Sequence, residues 1–169
     1  MEMQGNERQE LEMLLGEKEL FKIVNDLIDG VISRLGDEGK EELKNLAQRL
    51  PGMILNSGAL MTVAYLLKRC MGKESKKTEA ALMLVESIMK WLKGRNLIKL
   101  EGEKRDSESD RSEVHKKKCD ERLSKEILDE LLEKDMKEIS WISDEILRYS
   151  EALKVLAHAR IGEGGEIAG

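Results

Sequence analysis

Residues 47–67, AQRLPGMILNSGALMTVAYLL, constrain the fold more than any other part of the chain, because they hold its only proline and a glycine between two apolar runs. Apolar residues at positions 43, 46, 47, 50 and 54 keep the spacing of an amphipathic helix and continue through Pro51. The proline is therefore expected to kink this helix or to begin a new one. Gly58 lacks a side chain where the following helix, 59–71, must turn away and pack closely. That helix has so few polar residues that we predict it to be the central one.

The composition favours helices over sheets. Charged residues make up 37% of the chain and aromatic residues only 3%, while Leu, Glu, Lys, Ile and Met dominate. No alternation typical of strands and no hairpin dipeptide is present. A chain of 169 residues suits one domain that buries a substantial core without disulfides or metal. We predict an all-α fold, a single compact domain over 1–169 built as a bundle of five to seven helices.

Glycines and apolar stripes set the expected helix boundaries. The first helix is predicted from near Glu7 to Leu35, where Gly36 ends it, and Asp37 is a plausible N-cap for the second. A later helix is predicted from about Lys77 to Lys93, and two more carry the stripes Leu123, Ile127, Leu131, Leu132 and Ile142, Ile146, Tyr149, Leu153, Leu156. Residues 101–118 contain one apolar side chain and are predicted to be a charged flexible loop. The glycine-rich residues 162–169 are predicted to be a flexible tail.

The ends of the chain and its cysteines indicate the compartment. The N-terminus is acidic and polar, unlike a signal peptide, and we find no run of about 18 uncharged apolar residues for a membrane span. We therefore expect a cytoplasmic protein. Cys70 and Cys119 lack the spacing of a metal site, so two reduced thiols are the simpler interpretation.

Few residues are suited to catalysis or to metal binding. His115 and His158 belong to no metal-binding pair, and the chain has no glycine-rich phosphate loop. The adjacent acids Glu41 and Glu42 are expected on solvated helix faces. We predict that the protein is not an enzyme and that it binds neither a metal nor another cofactor.

Charge is divided unevenly along the chain. Residues 1–40 carry 10 acids and 5 bases (net −5), residues 41–100 carry 5 and 11 (net +6), and the rest carry 19 and 13 (net −6). The middle third is thus a basic island, which can contact phosphates without reading bases if its side chains converge on one face. In the other interpretation the same lysines only keep the bundle in solution.

Two groups of residues resemble a known family. The first group is Leu50, Pro51, Met53, Ile54, Asn56, Gly58, Leu60 and residues 62–66, and the second is Tyr149, Glu151, Ala152, Leu153, Val155 and Leu156. Both are similar to the signature of the small helical subunit of type III-B CRISPR effector complexes, the Cmr complexes. The resemblance implies a non-catalytic subunit that stacks with copies of itself beside the guide-binding subunits. It also implies that the assembly holds guide RNA and target RNA, while other subunits cleave.

The candidate nucleic-acid-binding residues are chosen by their charge context. Those of the basic island are Lys44, Arg49, Lys68, Arg69, Lys73, Lys90, Lys93 and Arg95, and a second group in the last helix is Arg148, Lys154 and Arg160. The expected partners are the other subunits of the complex, further copies of the chain, and RNA, but no membrane. The alternative is a helical adaptor or oligomerisation module that binds protein partners without touching nucleic acid.

Overall fold

The computed structural model of the chain describes residues 5–100 and 119–162. These residues form helices α1 (Gly5–Cys70), α2 (Lys76–Gly94), α3 (Glu121–Leu132) and α4 (Met136–Ile161), without any strand in the described ranges. The predicted loop at 101–118 and, apart from Gly162, the predicted tail at 162–169 lie outside the described residues.

Helix α1 consists of three segments because two glycines interrupt it. Gly36 (φ 62°, ψ −154°) and Gly58 (φ 78°, ψ 178°) have backbone angles that other residues rarely adopt. We call the segments α1a (5–35), α1b (37–57) and α1c (59–70). The three segments and three later helices make six helical segments in the described residues, which confirms the predicted all-α bundle of five to seven helices.

The structure decides between the two alternatives for Pro51. Residues on both sides of the proline remain helical, and the non-helical angles occur at Gly58 instead. The proline therefore does not begin a new helix; the second helix ends at Gly58, and the third begins at Ala59, one of the two starts that the sequence left open. The prediction for Asp37 is wrong by one residue, because Gly36 holds the non-helical position and Asp37 already lies within α1b.

Side-chain contacts fix the direction of each segment. Arg69 reaches Glu42, and Arg49 reaches Tyr65, so α1c runs back along α1b. Tyr149 contacts Ser87, and later in α2 Trp91 contacts Glu145, so α2 and α4 are also antiparallel. α1 packs mainly against α2 and α4, whereas α3 packs against α1 at the side of the bundle.

The core is one cluster of aliphatic side chains around two large aromatic ones. Trp91 and Tyr149 are its largest fully buried members, and α1c contributes Val63, Leu66 and Leu67. α2 is buried along most of its length, with only a narrow outer strip exposed. All three segments of α1 and helix α4 also contribute buried side chains, and α2 contributes the most of any helical segment. Thus α2, rather than the predicted helix 59–71, supplies the largest share of the core in the described residues.

One part of α1 passes a length and hydropathy test for a membrane span, since an 18-residue window has a mean hydropathy of 1.5. The stretch 50–67 carries no charge, so the expectation that no such run exists was too strong. However, Gly58 lies inside this stretch, and the chain reverses there to return along α1b. The stretch is therefore a helical hairpin and not one continuous helix, and 39% of the apolar window is buried.

The two cysteines are joined, contrary to the prediction of two reduced thiols. Cys70 ends α1c, and Cys119 precedes α3; they form a disulfide with their Cα atoms 5.7 Å apart. The bridge ties the end of α1c to the start of α3. The sequence did not indicate it, because 49 positions separate the two residues and spacing alone does not pair cysteines.

Candidate nucleic-acid interface

Arg69, a predicted RNA contact, is held by a carboxylate of the bundle. Its Nε and Nη2 atoms donate to the two oxygens of Glu42 at 2.9 and 3.0 Å. Glu42 is only 2% exposed, so the prediction of a solvated Glu42 is wrong, whereas Glu41 is exposed as predicted. A bidentate pair of this kind neutralises the charge of the arginine and uses its planar donor edge. Arg69 therefore joins α1c to α1b.

Two other predicted arginines also contact neighbouring helices. Arg160, in the last turn of α4, donates to the backbone oxygen and side-chain Oδ1 of Asn25 at 3.3 and 2.7 Å and pairs with Asp29. Arg49 donates to the Tyr65 hydroxyl at 3.5 Å. These contacts join α4 to α1a and α1b to α1c. Some of the N–H donors of both arginines are therefore used in hydrogen bonds within the molecule.

Arg95 and Arg148 meet at one acid although 53 positions separate them in the sequence (148 − 95). Arg95 Nη2 lies 3.5 Å, and Arg148 Nη1 3.8 Å, from the same oxygen of Glu145, Oε1. The other oxygen, Oε2, accepts a hydrogen bond of 3.1 Å from Trp91 Nε1. Both arginines were predicted from the sequence but the acid was not; the one signal for Glu145 in the sequence is its position three residues before Arg148.

Most of the predicted lysines have no acidic partner within the described residues. Lys68, Lys73, Lys90 and Lys154 are exposed, and Lys44 is half-buried. Lys93 is half-buried and makes a contact of its own. The exposed and unneutralised part of the predicted set is therefore mainly its lysines.

The basic island does not form one continuous patch. Lys68 and Lys73 lie at the turn between α1c and α2, where Lys76 and Lys77 begin α2. Arg95 follows the other end of α2, about 27 Å away at 1.5 Å of rise per residue. The structure thus brings together the lysines of the turn, whereas Arg95 joins Arg148 of the second predicted group at a separate place.

The described residues form no candidate metal site. Across 5–100 and 119–162, no three residues among His, Cys, Asp and Glu are grouped to hold a metal ion. Tyr149 is fully buried, which raises the pKa of its phenol far above the usual value, and its O–H donates to Ser87 Oγ at 2.6 Å. This tyrosine packs as a neutral core residue. His115 lies outside the described residues.

Exposed apolar side chains accompany the charged ones. Leu55 and Met61 flank the Gly58 corner and are 71% and 64% exposed. Trp141 is half-exposed two residues before Ser143, whose Oγ accepts a 3.2 Å hydrogen bond from the Ala59 backbone N–H. These three side chains, which we call the corner residues, therefore lie at the same end of the bundle.

A family comparison agrees with this architecture. The sequence model of the CRISPR-associated protein family Cas_Cmr5 matches residues 17–160, from α1a to the last turn of α4. The chain belongs to the Cas_Cmr5 family. The family is that of the small subunit of type III-B CRISPR complexes, so the match confirms the resemblance found in the sequence. A search of curated proteins returned no match.

Several signature residues of both groups lie in the packed part of the bundle, whereas Asn56, Glu151 and Val155 are exposed. Leu50, Ile54 and Gly58 form the inner face and the end of α1b, while Tyr149 and Leu153 are fully buried in α4. Most of the residues by which the Cas_Cmr5 family was recognised thus build the core and its corner. Among the predicted RNA contacts, Arg49 reaches one signature residue, Tyr65.

Proposed function

We propose that this Cas_Cmr5 chain is a non-catalytic subunit of a cytoplasmic type III-B ribonucleoprotein, where it helps to hold the backbones of guide and target RNA. Cleavage then belongs to other subunits. The observation that carries the RNA contact is the group of exposed lysines at the α1c–α2 turn, Lys68 and Lys73 with Lys76 and Lys77. Ammonium groups without acidic partners bind phosphates by releasing counterions, without regard to base sequence.

The test is the salt dependence of RNA binding by the assembled complex. In the variant, the exposed Lys68, Lys73 and Lys77 are changed to alanine, since none of the three has an acidic partner within the described residues. Each lost phosphate contact should make the slope of log affinity against log salt shallower by about 0.7 for single-stranded RNA. The matched control changes Lys18, Lys22 and Lys125, three exposed lysines outside the island. Equal slopes for variant, control and wild type contradict the RNA contact.

We also propose that copies of the chain stack in a short filament, in contact with the other subunits. The corner residues support this part, because large apolar side chains at one end of a bundle are typical of protein interfaces. The change Leu55→Ser should lower the number of copies per purified complex, as counted by mass measurement, while Phe21→Ser, at a distant exposed apolar position, should leave it unchanged. An unaltered copy number for Leu55→Ser contradicts a role of this corner in stacking.

The corner residues equally favour the second candidate, a protein-binding adaptor without RNA contact. Ultraviolet crosslinking distinguishes the two functions, because an adaptor co-purifies with its partner subunits yet forms no crosslink to RNA. A crosslink that maps to the α1c–α2 turn supports the RNA-holding subunit.

A further inference from the structure

The two arginines at Glu145 differ from the other predicted arginines in their remaining hydrogen-bond capacity. A guanidinium carries five N–H donors. The separations of 3.5 and 3.8 Å between Arg95, Arg148 and the shared oxygen of Glu145 exceed ordinary hydrogen-bond lengths. By contrast, Arg69 uses two donors in short bonds to Glu42. Within the described residues, Arg95 and Arg148 therefore make no short hydrogen bond to Glu145, and their donors there remain available to a ligand.

The charges of the described residues at this place are unequal. Two guanidinium groups face one carboxylate, so among these three side chains the positive charge exceeds the negative by one. Glu145 is 15% exposed, whereas the side chains of Arg95 and Arg148 are 38% and 47% exposed. The negative group thus lies inside and the positive groups lie towards solvent, where an anion can reach them.

The site is also held in place before any ligand arrives. The Arg95 guanidinium stacks over the Trp91 ring, 5.2 Å from its centroid, and Trp91 is buried. The indole N–H of the same tryptophan donates to Glu145, which leaves the other carboxylate oxygen to face the arginines. Arg148 is on α4, one turn after Glu145. Arg95, directly after α2, and Arg148, on α4, are thus both restricted by contacts with Glu145, and Arg95 also by Trp91, which lowers the side-chain entropy lost on binding.

We propose that Arg95 and Arg148 together bind one phosphodiester group of the RNA backbone, with Glu145 holding the two like charges side by side. Planar guanidinium groups match the oxygens of a phosphate in two-point contacts. A contact to a phosphate group carries no information about the base sequence, so binding here tolerates different RNA sequences. This proposal rests on the proposed RNA-holding function and adds a contact remote from the lysines of the α1c–α2 turn.

The first test measures binding of a mixed-sequence single-stranded RNA to the full chain by fluorescence anisotropy at several salt concentrations. Arg95 and Arg148 are changed to glutamine, which removes charge but keeps a donor for Glu145. The affinity should fall on the order of tenfold, the size expected for charged hydrogen bonds to one phosphate. The salt slope should become shallower by about 0.7. The control changes the exposed Lys22 and Lys125 to glutamine, which removes the same number of charges outside both proposed RNA contacts, and it should change neither value.

Two further variants distinguish a loss of phosphate binding from a loss of folding stability. Arg148→Gln alone covers the case in which the double variant does not fold, and thermal unfolding checks both. Arg148→Lys keeps the charge but loses the planar fork, so it should keep the wild-type salt slope with a lower affinity. A purely structural ion pair predicts lower melting temperatures with unchanged RNA binding, and that result overturns the proposal.

The outcomes also distinguish this site from the proposed function. If the lysine variant of the α1c–α2 turn loses RNA while the glutamine variant binds like wild type, the site is refuted and the proposed function stands. If complexes assembled with and without the wild-type chain bind RNA equally well even at low salt, both fail. If the glutamine variant loses partner subunits but not RNA, the pair contacts protein, which also overturns the site.

The last arm identifies the strand. Complexes with the glutamine variant are assembled with guide RNA and then offered target RNA. Loss of guide on purification assigns the phosphodiester to the guide, whereas normal guide content with weaker target binding assigns it to the target. Wild-type behaviour in both steps contradicts a phosphate contact in the complex.

Discussion

Arg69 and Glu42 form a bidentate ion pair in which the acid is buried and the base reaches solvent, with N–O distances of 2.9 and 3.0 Å. The pair joins α1b to α1c across the Gly58 hairpin. A residue chosen for a possible contact with RNA therefore holds the bundle together. An alanine scan that includes Arg69 mixes loss of binding with loss of folding, which is why the proposed tests leave it out.

Arg69→Ala should lower the free energy of unfolding by on the order of 3 kcal/mol, because it leaves a buried carboxylate without its partner. Denaturant unfolding at neutral pH measures this change. The double variant Glu42→Gln, Arg69→Met should recover much of the loss, since no uncompensated charge then remains in the core. If the single variant is as stable as wild type, the pair contributes no stability.

Thr62, in the signature segment of α1c, is fully buried, and its hydroxyl has no hydrogen-bond partner among the described residues. Thr62→Val replaces the hydroxyl with a methyl group of similar shape and should raise the free energy of unfolding by about 1 kcal/mol. The converse change, Val63→Thr, adds a hydroxyl at the next buried position and should lower it. Equal stability of Thr62→Val and wild type in denaturant would mean that the hydroxyl has a partner in solution.

The sequence predicted the backbone of this fold well, because the decisive residues act locally. Gly36 and Gly58 interrupt α1 as their conformational freedom predicts, and α2 spans Lys76–Gly94, close to the expected 77–93. A serine and a threonine at the start of α2 form a capping box. Pro51 left two alternatives open, because a proline is tolerated within a bent helix as well as in a first turn.

The candidate site was predictable only as a set of charges. Which arginine is neutralised depends on acids from other helices: Glu42 lies 27 positions from Arg69, and Asp29 lies 131 from Arg160. Spacing along one helix does not reveal such pairs. The same reason explains the missed disulfide, and it explains why Arg95 and Arg148 were placed in separate groups although they share Glu145.

The Cys70–Cys119 disulfide closes a separation of 49 residues. Chain-entropy estimates for a loop of this size give about 4 kcal/mol of stabilisation through the unfolded state. Cys119→Ser should therefore lower the free energy of unfolding by about this amount, measured without reductant. Dithiothreitol should destabilise the wild type to a similar extent and leave Cys119→Ser unchanged. Equal stability of wild type with and without reductant would contradict the bridge.

The side chain of Glu130, on α3, accepts a hydrogen bond from the backbone of Lys99, in the segment that follows α2. Burial alone would raise the pKa of its carboxyl, but the Lys99 backbone N–H at 2.9 Å and the Lys134 ammonium at 3.0 Å together lower it. A lowered pKa in the folded state means that Glu130 adds stability above its ordinary value of 4.5 and loses it as the pH falls through the folded pKa. As the pH is lowered below 4.5, the free energy of unfolding of Glu130→Gln should therefore fall less steeply than that of the wild type. Acid unfolding of both proteins measures this difference. Lys134→Ala should act in the same direction but less, because the Lys99 N–H remains; an unaltered acid slope in both variants contradicts the assignment.

Gly58 offers the sharpest test of the corner at which α1b ends and α1c begins. An added Cβ at this glycine meets no atom within 4 Å, so only the backbone opposes a substitution. At φ 78° and ψ 178° an alanine should lower the free energy of unfolding by about 1–3 kcal/mol. Gly52→Ala is the matched control, since Gly52 is also free of neighbours within 4 Å but lies in helical backbone of α1b. That control should raise the free energy of unfolding by about 1 kcal/mol. Changes of opposite sign for the two variants in denaturant unfolding support the corner. Stabilisation by both substitutions means that α1 is straight at Gly58.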